Sequence, residues 1–170
     1  GVTTIAFSPD GKTLATGVAD SQIILFDAES GKEKRRLKGH EGLPVTKVAF
    51  SPKGDKLASV GRDSVLRIWD TEKGEQIRSL TGHENPTRAV AYSPDNKVIA
   101  SAGEDSAITL WDGEKLLRIL QGHRDFVNDV AFSPDGTILA SGAEDDRVIL
   151  WNIASGKQNF TLLGHADGVT

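Results

Sequence analysis

The sequence contains no cysteine. This excludes disulfides, thiolate metal sites and a cysteine nucleophile, and leaves the compartment open. It contains no methionine either, even at its first position. The chain is therefore expected to be a processed product or a piece of something larger. No apolar run approaches the roughly 18 residues of a membrane span, and no secretory apolar core is present. Positive charge is not in excess: 20 Lys and Arg stand against 24 Asp and Glu, for a net charge of -4. That balance argues against a general nucleic-acid or membrane binder. There is no nucleophile elbow, phosphate-binding glycine loop or zinc-ligand spacing. No cofactor is expected.

What the sequence has in abundance is repetition. Ser-Pro recurs at Ser8, Ser51, Ser93 and Ser133. An aromatic followed by Asp or Asn recurs at Phe26, Trp69, Trp111 and Trp151. Both markers step by 43, 42 and 40 residues. Gly-His recurs at Gly39-His40, Gly82-His83, Gly122-His123 and Gly164-His165. Three markers in one register define a repeat, which is the first thing to settle in such a sequence. Each repeat reads as four short strands. In the second these are VTKVAF (45–50), KLASVG (56–61), VLRIWD (65–70) and the polar EQIRSL (75–80). The Ser-Pro-Lys-Gly turn after the first suits Pro and Gly backbone preferences. No segment shows a helical period, so the fold class is all-β. The basic run KEKRRLK (32–38) falls on the outer strand of the first repeat, where charge is expected to protect a sheet edge; a patch for phosphate or an acidic partner is the alternative.

These residues resemble the WD40 repeat family of β-propellers, in four copies covering the whole chain. The resemblance implies four four-stranded blades at 1–38, 39–81, 82–121 and 122–163. Residues 164–170 would then lead toward a first blade. It also implies a buried hydrogen-bond network in each blade, joining a lead-in His, a strand-two hydroxyl, a turn Asp and the Trp indole. The sets are His40, Ser59, Asp63 and Trp69; His83, Ser101, Asp105 and Trp111; and His123, Ser141, Asp145 and Trp151. Blade one offers only Thr16 and Asp20 with Phe26, which has no N–H. Its missing His is expected to be His165, in this chain or in another copy.

The last residues, Gly168-Val169-Thr170, repeat Gly1-Val2-Thr3. The C-terminus is in register with a fifth repeat that begins like the first. Four blades are few for a ring, so two chains meeting head to tail in an eight-bladed homodimer are expected. A closed four-bladed monomer and a fragment of a longer natural WD40 protein are the alternatives. The clean phase of the repeats suggests an excised or engineered half-propeller, cytoplasmic if natural. The expected function is non-enzymatic: a scaffold and protein-interaction module that self-assembles. A purely structural designed chain with no ligand is the rival. The lead-in loops and the turns between strands two and three form the expected face for a protein or peptide partner. It carries Arg62, Arg88, Phe126, Asn128, Glu104 and Glu144. The acidic pairs Glu104-Asp105 and Asp145-Asp146 are read as one structural and one solvated residue each, and no metal site or catalytic residue is expected.

Overall fold

In a computed structural model that describes residues 1–165, 168 and 169, the chain forms four antiparallel sheets of four strands. Blade one is β1 (Val2–Phe7), β2 (Thr13–Val18), β3 (Gln22–Asp27) and β4 (Glu33–Lys38). Blade two is β5 (Val45–Phe50), β6 (Lys56–Gly61), β7 (Val65–Asp70) and β8 (Gln76–Thr81). Blade three is β9 (Thr87–Tyr92), β10 (Ile99–Gly103), β11 (Ala107–Trp111) and β12 (Leu116–Gln121). Blade four is β13 (Val127–Phe132), β14 (Ile138–Ala143), β15 (Val148–Asn152) and β16 (Gln158–Leu162). Strands follow one another in space as in sequence within every sheet. Each blade is thus a meander joined by tight turns.

The sequence accounts for the alternation. Inner strands carry small and branched apolar residues because both of their faces are covered in a stack of blades. Outer strands β4, β8 and β12 bury one residue each, Leu37, Leu80 and Leu120, and leave their charged neighbours in water. The turns after the inner strands use the Ser-Pro pair further. Ser8 Oγ and Ser133 Oγ each donate to the Asp two residues on, at 2.6 Å. Those hydroxyls also accept the N–H groups of Thr13 and Ile138.

The core lies between blades. One cluster joins Ala15, Ile23, Leu25 and Leu37 of blade one to Val45, Val48, Leu57 and Trp69 of blade two. A second joins Ala58, Leu66, Ile68 and Leu80 to Val90, Ile99 and Trp111. A third joins Ile108, Leu110 and Leu120 to Val127, Val130, Leu139 and Trp151. No cluster joins blade four to blade one among the described residues. The inner strands pack in sequence, β1 on β5, β5 on β9 and β9 on β13. Inside the arc, Lys47 Nζ reaches past the fully buried Ala89 to Asp129, at 3.1 Å.

The ends of the arc show what the missing neighbour costs. Val45, Val48 and their counterparts are at most 6% exposed, whereas Val2 and Ile5 are 64% and 63% exposed. On the other end Leu162 is 47% exposed, against 1% for Leu37. The arc is open, and the closed four-bladed monomer weighed from the sequence is not the arrangement found.

Candidate functional site: the buried networks and the lead-in-loop face

In blades two to four the sequence-derived residues meet. Trp69 Nε1 donates to Ser59 Oγ at 2.8 Å, Ser59 Oγ lies 2.8 Å from His40 Nε2, and His40 Nδ1 lies 2.9 Å from Asp63. Blade three repeats this with Trp111, Ser101, His83 and Asp105 at 2.8, 2.7 and 2.7 Å. Blade four does so with Trp151, Ser141, His123 and Asp145 at 2.9, 2.7 and 3.0 Å. One proton arrangement satisfies every atom. The indole donates to the hydroxyl, the hydroxyl donates to Nε2, and Nδ1–H donates to the carboxylate. Such a chain of bonds is strong only when complete.

Burial acts to raise the carboxyls of Asp63 and Asp105. Hydrogen bonds from His40 and His83, joined at Asp63 by the bond and charge of Arg67, outweigh it and hold both below the ordinary value. Asp145 is also lowered, against its burial, by the Arg124 N–H and by His123. The glycine of each Gly-His pair has its own reason. A Cβ on Gly39, Gly82 or Gly122 would lie 2.7 to 2.8 Å from the Cη2 of Trp69, Trp111 or Trp151. The dipeptide is therefore a seat for the indole followed by the head of the network.

Blade two holds a member that the repeat pattern does not reveal. Arg67 is 5% exposed, hydrogen-bonds Asp63 and stands 3.0 Å from His40 Nδ1. Its counterparts are Ile24, Thr109 and Ile149, so the only signal was one charge at an otherwise uncharged position. Blade one departs from the others. Thr16 turns its hydroxyl to the Ile24 carbonyl at 3.4 Å. Asp20 makes no side-chain hydrogen bond among the described residues, and His165 is exposed and does not join them in this chain. Ala166, Asp167 and Thr170 of the same terminal segment lie outside the described residues.

On the lead-in-loop face, five of the six expected residues form one cluster. Arg88 donates to Glu104 at 3.0 and 3.1 Å and to Asn128 Oδ1 at 2.7 Å, and stands 3.5 Å from Glu144. Its guanidinium lies 4.8 Å above the centre of the Phe126 ring, a cation–π contact. Asn128 donates to Glu144 at 3.0 Å. Arg62 is exposed and stands apart. A bulge in each inner strand turns one side chain, Thr3, Thr46, Arg88 or Asn128, toward the next blade. Thr3 and Thr46 donate to the carbonyls of Val45 and Thr87, and Asn128 donates to that of Val169 at 2.9 Å. Part of this face therefore ties blades together. Among the described residues no group of three or more His, Asp or Glu is placed to hold a metal.

Residues 1–112 match the family model for the nucleolar protein 10-like N-terminal domain, a β-propeller. The model for the WD domain, G-beta repeat, matches residues 114–152. The chain belongs to the WD40-type β-propellers, its first 112 residues falling in the nucleolar protein 10-like N-terminal family. No curated protein sequence matches it. WD40 propellers are protein-interaction scaffolds, typically non-enzymatic.

The networks set two expectations for this propeller. Ser101→Ala orphans the Trp111 indole and His83 Nε2, at about 1–3 kcal/mol for each buried group. Thr16→Ala, with neither partner, is expected to cost no more than about 1 kcal/mol. Urea melts of the two variants check the difference. The second concerns acid. A carboxyl lowered in the folded state adds stability that is full above its ordinary value and is lost as pH falls through the depressed one. Wild type should exceed Asp105→Asn in stability at pH 7, and the gap should close below pH 3.8. Urea midpoints across that range measure it.

Proposed function

We propose that this WD40 chain is a non-catalytic interaction module with two uses for its surface. Its lead-in-loop face binds a protein or peptide, and its two uncovered blade faces bind a second copy head to tail. The Arg88 cluster supports the first use. An arginine held by two carboxylates and laid over an aromatic is already ordered, so little side-chain freedom remains to be lost on binding. Aromatic and arginine side chains are the usual anchors of interfaces. Leu43 and Phe126 are the large apolar groups exposed in these loops, at 43% and 37%. In selection from a peptide library, the triple variant Arg62→Ala, Arg88→Ala, Phe126→Ala should bind wild-type ligands at least tenfold more weakly. Equal binding by both proteins overturns the assignment of this face.

The open arc supports the second use. Three blade boundaries each bury a core cluster, while the outer faces of blades one and four leave their counterparts in water. Soluble proteins rarely carry such faces unpartnered. Two copies head to tail would cover both faces twice in an eight-bladed, two-fold ring, an assembly that closes instead of growing. The seat for the next inner strand already has an occupant of the right kind. Val169 packs on Gly142 as Val45 packs on Gly17, and its N–H donates to Ala143 at 2.9 Å. Residues 168 and 169 repeat residues 1 and 2, so in the ring one pair holds the seat and the other is released. His165 would then stand before blade one of the second copy, next to Thr16 and Asp20. Light scattering should give about twice the 18.2 kDa of one chain, stable on dilution. A mass of one chain at every concentration overturns the assembly.

A further inference from the structure

The three existing blade boundaries share a device on their outer edge. The outer strands place Arg35, Arg78 and Arg118 at one position, paired with Leu25, Ile68 and Leu110 on the neighbouring strand. Each arginine reaches the turn between strands three and four of the next blade. Arg35 Nε donates to the Glu72 carbonyl at 3.2 Å, and its Cδ lies 3.2 Å from the Cβ position of Gly74. Arg78 stands 3.8 Å from the Glu114 carboxylate, and Arg118 lies over Gly156. The hollow at the first of these seams is correspondingly polar, with Glu33, Lys34, Arg35 and Glu72 among its lining.

Blade four breaks the series. Its residue at that position, paired with Leu150, is Phe160. The ring is 63% exposed. At the opposite end of the arc, the surface that corresponds to the arginine seats is also changed. Where blade two has Phe50, Leu57, Trp69, Thr71 and Gly74, blade one has Phe7, Leu14, Phe26, Ala28 and Gly31. Indole has become phenyl and threonine has become alanine. The first change departs from all three other blades, the second replaces the larger Thr71 of blade two and Ile153 of blade four, and both open space. The residues of blade one line an apolar hollow of about 340 Å³ with only Asp27 charged on its rim.

We propose that Phe160 is the apolar anchor of the seam between two copies of this chain, seated in the hollow of Phe7, Leu14, Phe26, Ala28 and Gly31 on the other copy. This rests on the head-to-tail assembly proposed above. The occupant is specified by the two changes together. A charged strand position has become aromatic at one end of the arc, and at the other a phenyl stands where every other blade has an indole, beside an apolar hollow. In the geometry of the three existing seams these two places face each other. A second copy brings both at once, and does so at both seams of a two-fold ring.

The test is the dimer dissociation constant by light scattering or sedimentation over a dilution series. It compares wild type, Phe160→Glu and Leu163→Glu. Both substituted side chains are solvent-exposed in the single chain, at 63% and 74%. The counterparts of Leu163 are the polar Lys38, Thr81 and Gln121, so it serves as the control. Thermal melts at concentrations where each protein is monomeric confirm that the blades still fold. Phe160→Glu should weaken the dimer at least tenfold, because it puts a charge into an apolar seat, and Leu163→Glu should change it less than twofold. A wild-type dimer that Phe160→Glu leaves intact, or that both variants weaken equally, overturns the anchor and leaves the assembly standing. A wild type that is monomeric throughout overturns the assembly and the anchor with it.

Discussion

A sheet with two apolar faces needs two neighbours, and the rest of this structure follows from that need. Each blade here is such a sheet. Its trailing face supplies Ala, Leu and Ile side chains, and the leading face of the next supplies Val, Leu and Trp. Burial of apolar surface at about 25 cal/mol per Å² drives the stacking. No single blade has an interior of its own. Stability therefore accrues by boundaries, as in other repeat proteins, and this chain has three boundaries for four blades.

Within that constraint the buried polar networks fix how each blade is folded, not whether it stacks. The indole is large enough to fill a boundary but brings an N–H that must be satisfied in a dry place. Ser59, Ser101 and Ser141 satisfy it, and the His–Asp pair then satisfies the serine. The lead-in loop is thereby pinned to the turn between strands two and three. The lead-in-loop face is a consequence of this pinning, since its loops are held from beneath. Arg88 adds the lateral link, because its bulge aims it across a boundary and its guanidinium gathers Glu104, Asn128 and Phe126.

Much of this was legible in the sequence because the repeat supplies four readings of one unit. The first three strands of the second repeat, read as 45–50, 56–61 and 65–70, are the observed β5, β6 and β7, and the fourth lies one residue later than expected. The His, Ser, Asp and Trp of blades two to four, which the family resemblance grouped, lie within hydrogen-bond distance of one another. Legibility failed where a residue departs from its three counterparts. Arg67 enters a network whose other versions hold no arginine, and repetition hides the exception. Asp20 keeps the spacing of its counterparts without their hydrogen bonds among the described residues, so spacing alone does not report whether a network is complete. Phe160 is uninformative within its own repeat, since an aromatic on an outer strand gains meaning only against the face it meets.

That last point bears on how a ring of two would hold. A two-fold ring has two identical seams. Once the first has formed, the second closes within one complex, at an effective concentration far above that of free chains. Opening one seam therefore does not release a copy, and every side chain at the seam is counted twice in the stability of the ring. Departures from the repeat would be felt most strongly there, because a change at an internal boundary is backed by continuous chain and a change at the seam is not. The changes at Phe160 and Phe26 fall on the two faces that another copy would bring together.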